Sequence, residues 1–159
     1  MKGIFEILEN DARLTPDQIS TMTGMSAEEV SSIIADAEKD RTIVKYKTVI
    51  NREKLGEDQV LALIEIRIQP QMEVGFDAIA ERIYRFPQVR SAYLVSGGYD
   101  LAVLVLGKTM HEVATFVSEK LAPLQGVQRT VTHFLLKRYK EDGDILVSGE
   151  EDKRLPLTM

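Results

Sequence analysis

The sequence has no cysteine, no tryptophan and only two histidines among its 159 residues. Without cysteine, the chain can form neither a disulfide framework nor a thiolate metal site. A zinc site needs three or four converging ligands, so two isolated histidines, His111 and His133, do not predict one. We therefore expect no metal and no cofactor, and we interpret both histidines as structural.

Long apolar runs and a strong positive charge are also missing. No stretch approaches the roughly 18 apolar residues of a membrane span, and the amino-terminal stretch turns acidic too early for a secretory signal. We therefore expect a cytoplasmic protein without a membrane partner. The net charge of −5 argues against a broadly basic nucleic-acid coat but allows one local basic contact surface. No Ser-His-Asp or paired-carboxylate pattern stands out, so no catalytic residue is predicted.

The stretch over residues 89–107 carries the strongest local pattern. Two apolar runs, 89–95 and 99–106, flank Ser96-Gly97-Gly98. Two glycines between strand-like runs indicate a hairpin, because glycine accepts the positive φ that tight turns need. The second run has almost no polar residue, which predicts a strand buried on both faces.

Residues 1–56 have the pattern of a winged helix-turn-helix domain. Three short helices are predicted from helical spacing of apolar residues, and the second and third begin with capping boxes at Thr15 and Ser26. A short turn containing Gly24 joins these two helices, as in a helix-turn-helix. Residues 43–50 are strand-like and basic, and we expect them to form the wing.

Residues 57–141 have the pattern of a second domain. A strand, a helix, the hairpin, a helix capped at Thr109 and a last strand give the order β-α-β-β-α-β. Right-handed crossovers place both helices on one face of a four-stranded antiparallel sheet, which is the ferredoxin-like arrangement of an α+β protein. The opposite face is apolar and uncovered, which implies a second copy of the domain. Residues 142–159 are expected to be a charged tail.

Three motifs carry a likeness to a known family. They are IVKYKTVINREKLG at residues 43–56, SGGYDLAVLV at 96–105 and LQGVQRTVTHFLLK at 124–137. Their order and spacing resemble the Lrp/AsnC family of feast/famine transcription regulators over roughly residues 4–140. The resemblance implies a DNA-binding regulator whose sheet domain dimerises, whose dimers form larger homo-oligomers, and which binds an amino acid or similar effector between dimers.

The hairpin is the expected effector site. By the resemblance, Gly97, Tyr99 and Asp100 carry over to it, with Thr132 on the last strand as a weaker match. Asp100 offers an acceptor for an ammonium group, and the backbone N–H groups of the glycines offer donors for a carboxylate. A plain turn with a polar flank is the alternative. The expected effector-binding residues are Ser96, Gly97, Gly98, Tyr99, Asp100 and Thr132.

The third helix and the segment after it are the expected DNA-binding elements. This helix is rich in acidic residues and serines, and it lacks the arginine that the family usually has near Ser31 and Ser32. Base edges are read mostly by Arg, Lys, Asn and Gln, so phosphate contacts from the basic segment would give a salt-sensitive affinity. The expected DNA-binding residues are Ser26, Ser31, Ser32, Lys39, Arg41, Lys45 and Lys47.

Two alternatives stay open. Siroheme decarboxylases resemble the same two-domain architecture, and His133, Arg90 and Arg129 are the residues that could serve a tetrapyrrole pocket, although the sequence shows no dense cluster of arginine and histidine. The other alternative is an oligomerisation module whose first domain no longer binds DNA.

Overall fold

The computed structural model describes residues 2–56, 59–69 and 75–147. The chain divides into two compact units between Ile50 and Asn51, whereas the boundary expected from the sequence follows Gly56. Within the described ranges, no helix has the length and apolar character needed to cross a membrane. Most of the expected tail lies outside these ranges.

Three helices make up the first unit: α1 (Lys2–Asn10), α2 (Pro16–Thr23) and α3 (Ala27–Lys39). Both predicted capping boxes are confirmed. The N–H of Gln18 donates to the Thr15 hydroxyl and the N–H of Glu29 to the Ser26 hydroxyl, and each partner side chain accepts from the cap residue in return. Gly24 ends α2 with a φ of 73°, a left-handed conformation that favours glycine. These caps fix where α2 ends and α3 begins.

A small apolar core holds the three helices together. Ile4, Ile19 and Val30, one from each helix, are buried, and Leu14 and Met25 pack against them. Burial of an aliphatic side chain contributes about 1.5–3 kcal/mol. The core therefore orients α3 with one fixed face toward solvent.

The prediction of a β-strand wing is wrong. Residues 43–50 form no strand, although Ile43 packs on the helical core and its N–H donates to the Ala37 carbonyl at 2.9 Å. Within the described residues of this unit there are helices but no strand. The backbone of residues 43–50, whose side chains favour a strand, therefore has no strand edge to pair with. Val44 is exposed, and the Tyr46 hydroxyl donates to Glu38 Oε1 at 2.8 Å.

The second unit is a four-stranded antiparallel sheet with helices packed on one face. A short 3-10 turn (Glu53–Leu55) of this unit precedes the sheet in sequence. Its elements are β1 (Val60–Ile68), α4 (Phe76–Tyr84), β2 (Val89–Leu94), β3 (Leu101–Gly107), α5 (Met110–Phe116), which continues into a π-helical turn (Val117–Leu121), and β4 (Val127–Leu135). The strand order is β2-β3-β1-β4. The predicted ferredoxin-like βαββαβ domain is confirmed.

The helix-facing side of the sheet carries the larger core. Alternate residues of β1 are buried there with alternate residues of β3 and the inner faces of α4 and α5. The rings of Phe86 and Phe116 meet edge to face, with centroids 5.3 Å apart. Because side chains alternate along a strand, the intervening residues of each strand point to the opposite face. The core residues of the strands are Ala62, Ile64, Ile66, Ile68, Leu101, Val103 and Val105.

Gly126 explains the glycine in the third sequence motif. Its φ is 92°, and its carbonyl accepts a hydrogen bond from the Gln69 N–H at 2.9 Å. A Cβ added here would lie 2.5 Å from Ile79 Cδ1 in the core. Both the left-handed backbone and the close approach of α4 therefore favour glycine.

The predicted hairpin is confirmed, but its turn is not the tight two-glycine turn. The connection between β2 and β3 spans residues 95–100, and the Val95 N–H donates to the Asp100 carbonyl at 2.8 Å. Neither Gly97 nor Gly98 has a positive φ. The longer connection spreads the chain reversal over six residues, so neither glycine has to adopt the left-handed conformation of a two-residue turn.

The segment after β4 and the helix cap at Thr109 also differ from the prediction. A second hairpin, β5 (Lys140–Glu141) and β6 (Asp144–Ile145), forms where the tail was expected to begin, with positive φ at Asp142 and Gly143. Asp-Gly is a strong turn signal for such hairpins. At Thr109 only half of the capping box forms, because the Glu112 carboxylate accepts from the Lys108 N–H instead.

Candidate functional site

The loop between β2 and β3 brings the predicted effector residues 96–100 together. Ser96, Gly97 and Gly98 are exposed, whereas Tyr99 and Asp100 are half-buried. The loop lies at the end of the sheet where β1 stops and β4 begins. Both glycines are exposed, and within the described residues neither backbone N–H donates a hydrogen bond, so both are available to a carboxylate ligand.

Asp100 has a structural function in addition to its predicted one. Its Oδ2 accepts a hydrogen bond from the Ile68 N–H at 2.7 Å, and its own N–H donates to the Ile66 carbonyl at 3.0 Å. These bonds tie the start of β3 to the end of β1. An ionised carboxylate offers about four acceptor positions, so Asp100 retains capacity for an ammonium group.

Thr132 lies apart from this loop within one protomer. Thr132 lies on β4 and pairs with Ile64 of β1, so its side chain points to the helix-facing side of the sheet. β1 separates β4 from β3, which puts two strand spacings, about 9–10 Å, between them. The structure thus groups five of the six predicted effector residues and leaves Thr132 outside the group.

The sheet face opposite the helices, here called the open face, is largely apolar. It carries side chains from all four strands, and β3 is not buried on both faces as predicted, because Leu104 and Leu106 are only half-buried. Tyr93 is 58% exposed on the same face. The apolar side chains of the open face are Leu61, Leu63, Tyr93, Ala102, Leu104, Leu106, Val131 and Leu135.

The open face also carries charged side chains that were not predicted from the sequence to lie together. His133 Nε2 lies 3.2 Å from Glu65 Oε1, and Arg67 stands directly opposite Arg129 on the neighbouring strand. In the described part of the chain, neither arginine makes an ion pair. The sequence does indicate charges on this face, because Glu65 and Arg67 interrupt the apolar run of β1 at alternate positions.

The residues of the enzyme alternative do not converge. Arg90 lies on β2 and Arg129 and His133 lie on β4, and these strands are the two opposite edges of the sheet. Three strand spacings, about 14 Å, separate them. His111 is exposed on α5, and the described residues hold no cluster of three His, Asp or Glu side chains suited to a metal.

The outer face of α3 is the candidate DNA-binding surface. Four residues of α3, at spacing i, i+4, i+7 and i+11, lie on the side opposite the buried Val30 and Ala37, and all four are exposed. This outer stripe consists of Glu28, Ser32, Ala35 and Lys39. Ser31 is exposed beside it, whereas the hydroxyl of Ser26 is engaged in the helix cap.

The basic residues of the expected interface lie after α3. Lys39 ends the helix, Arg41 follows with a φ of 65°, and Lys45 and Lys47 are exposed on the segment over residues 43–50. Partial burial and the bond to Glu38 raise the pKa of Tyr46. The hydrogen bond from the Tyr46 hydroxyl to Glu38 links this segment to the last turn of α3.

Comparison with known proteins gives a family match and a fold match. Residues 61–145 match the Lrp/AsnC ligand binding domain. The uncharacterized HTH-type transcriptional regulator YugG of Bacillus subtilis is 45% identical, covering 98% of this chain and 94% of that protein. HTH-type transcriptional regulator FL11 of Pyrococcus furiosus is 28% identical over 92% of this chain and 93% of its own length.

Solved structures agree with the fold. Escherichia coli AsnC superposes with a TM-score of 0.68 at 19% identity, covering 87% of this chain and 91% of that one. The feast or famine regulatory protein of M. tuberculosis, complexed with L-methionine, superposes with a TM-score of 0.72 at 22% identity, covering 91% and 95%. At these identities the likeness establishes the shared fold.

Replacing Asp100 tests its structural function. Asp100→Ala is expected to lower the free energy of unfolding of the second unit by about 1–3 kcal/mol, because the Ile68 N–H loses its acceptor. Asp100→Asn keeps an acceptor oxygen in place and is expected to retain most of that stability. Urea unfolding followed by circular dichroism measures the free energy of unfolding of both variants. Equal losses of stability would show that the hydrogen bond to the Ile68 N–H does not stabilise the second unit.

Proposed function

The chain belongs to the Lrp/AsnC family of transcription regulators, and from that premise we propose that residues 1–56 bind double-stranded DNA while residues 57–141 bind a small effector and dimerise. The carrying observation is the match of residues 61–145 to the ligand-binding domain of this family, preceded by a capped helix-turn-helix. Relatives over nearly the whole chain are named transcriptional regulators, not enzymes. The proposal places the protein in the cytoplasm.

The proposed effector is an amino acid or a similar zwitterion. Two regulatory proteins of this fold were solved with L-methionine, one from M. tuberculosis and one from Neisseria meningitidis. In this chain, the Asp100 carboxylate would accept from the ammonium group and the Gly97 and Gly98 N–H groups would donate to the carboxylate. Tyr99 and Ser96 flank these groups, and Thr132 would join the site only from another protomer.

The proposed partner for the open face is a second copy of the chain. Large half-buried side chains such as Leu63 and Leu104 lie beside both an acidic and two basic groups, Glu65, Arg67 and Arg129. A two-fold interface places the same patch on both subunits. A face that carries both signs of charge around an apolar centre is suited to such self-pairing, and larger homo-oligomers would follow from further contacts between dimers.

Effector binding would regulate DNA binding by favouring one assembly over another. A ligand shifts an equilibrium between assemblies only by its difference in affinity for them. The loop of residues 95–100 adjoins the open face, so a ligand held there can contact a dimer edge. We propose that this contact changes the spacing between the DNA-binding units.

An amino-acid screen tests the effector site. Thermal unfolding with each of the twenty amino acids is expected to reveal at least one that raises the melting temperature of the wild-type protein. The Asp100→Asn variant, which preserves the bond to Ile68 but removes the charge, is expected to lose that increase. An increase of equal size in the variant would exclude Asp100 as the ammonium acceptor.

The salt dependence of DNA affinity tests the basic segment. Removing one phosphate contact reduces the slope of log K against log salt by about 0.9. Lys45→Gln is expected to cause such a reduction with a mixed-sequence 30-bp duplex in a fluorescence-anisotropy titration. Lys108→Gln, an exposed lysine of the second unit, serves as the matched control and is expected to leave the slope unchanged. Equal slopes for both variants would contradict the assignment.

The mass in solution tests the open face. Light scattering at micromolar concentration is expected to give at least twice the mass of the chain for the wild type. Leu63→Lys places a charge in the apolar centre of the open face and is expected to lower that mass. Met22→Lys changes an exposed side chain of the first unit and is expected to have no such effect. A wild-type monomer would refute the proposal.

A further inference from the structure

Two neighbouring glutamates at the start of α3 have different roles. Glu29 Oε2 accepts from the Ser26 N–H at 2.9 Å as part of the capping box, and this bond lowers the pKa of Glu29. Glu28 is exposed and, among the described residues, no hydrogen bond or ion pair engages its carboxylate. Of these two acids, only Glu28 belongs to the outer stripe opposite Val30 and Ala37.

The position of Glu28 is the one from which a recognition helix contacts base edges. In helix-turn-helix proteins, the second helix enters the major groove and its amino-terminal residues approach the bases. Glu28 lies in the first turn of α3, and the next outer residues, Ser32 and Ala35, are short. Glu28 is therefore the longest side chain of the outer stripe near that end.

The chemistry of the groove restricts what a carboxylate can contact. The major groove presents hydrogen-bond donors only at the amino groups of cytosine N4 and adenine N6, and acidic side chains pair with cytosine N4. The other polar groups on base edges are acceptors, and they repel a carboxylate as phosphates do. A charged group that loses its water without gaining a partner is strongly disfavoured.

We propose that Glu28 determines the sequence preference of this protein by accepting a hydrogen bond from a cytosine N4 amino group in the major groove. The inference rests on the proposed DNA binding by the first unit. At an A·T pair, the adenine N6 donor lies between two acceptors, adenine N7 and thymine O4, which repel a carboxylate, so cytosine N4 is the preferred partner. The acidic side chain thus weakens non-specific binding, while Lys39, Arg41 and Lys45 supply the attraction to the backbone.

Selection from a random duplex library tests the proposal with the full chain. The wild type is expected to enrich duplexes with a C·G pair at one fixed position in each half-site. Glu28→Gln is expected to change that position to A·T, because glutamine pairs with adenine N6 and N7. Glu29→Gln removes the same charge one residue away but keeps a side-chain acceptor for the Ser26 N–H, and its selected position is expected to remain C·G.

Affinities on single duplexes complete the test. Replacing the selected C·G pair with T·A is expected to weaken wild-type binding by roughly 5- to 150-fold, the range of one mismatched base pair. The same replacement is expected to affect Glu28→Gln by less than about threefold. Identical selected sequences for all three proteins, or no fixed C·G pair for the wild type, would overturn the assignment of Glu28.

Loss of all DNA binding gives a different result. If the folded wild type binds no duplex even at low salt, the proposed function of the first unit fails and the inference about Glu28 fails with it. Binding without a cytosine preference removes only the inference. Circular dichroism of each variant shows whether α3 remains intact, which is expected because Glu28 is exposed and makes no hydrogen bond or ion pair within the described residues.

Discussion

The pairing of β1 on both sides is the constraint on which the second unit depends. β1 lies between β3 and β4, and its residues Ala62, Ile64, Ile66 and Ile68 bury one face of the sheet against the helices. The strict alternation of side chains then forces Leu63, Glu65 and Arg67 onto the open face. A shift of one residue in register would exchange these two sets, so burial of the isoleucines also fixes the charges that a partner would meet.

The end of β1 positions the candidate effector loop as well. Ile66 and Ile68 supply a carbonyl and an N–H to Asp100, so the loop is anchored where the central strand stops. This arrangement explains how an exposed glycine-containing segment can hold its polar groups in a fixed place. The same carboxylate contributes to the fold and is available to a ligand, so substitution of Asp100 needs an isosteric variant for its two roles to be separated.

Much of the fold could be predicted because its signals are local. Capping boxes at Thr15 and Ser26 lie within four residues, and amphipathic spacing identified both helices of the sheet domain. Predictions that depend on contacts between segments far apart in the sequence were less successful. Residues 43–50 have strand-like side chains, but the described residues of the helical unit offer their backbone no strand edge. Thr132, which was joined to the loop by the family resemblance, stays a prediction, because β1 lies between β4 and β3 within one protomer. The pairing of Arg67 with Arg129 follows from register, which one strand alone does not reveal.

In the proposed complex with DNA, the charges of the first unit would separate attraction to the backbone from discrimination between sequences. Acidic side chains are frequent on α3, while the cations Arg41, Lys45 and Lys47 follow it, and the bond from Tyr46 to Glu38 connects the two. Because phosphate contacts carry no sequence information, a basic segment alone would bind any duplex. A carboxylate at the tip of the helix opposes such binding unless a base offers it a donor. An acidic recognition helix is therefore compatible with DNA binding, provided that selectivity rather than affinity is what its outer face supplies.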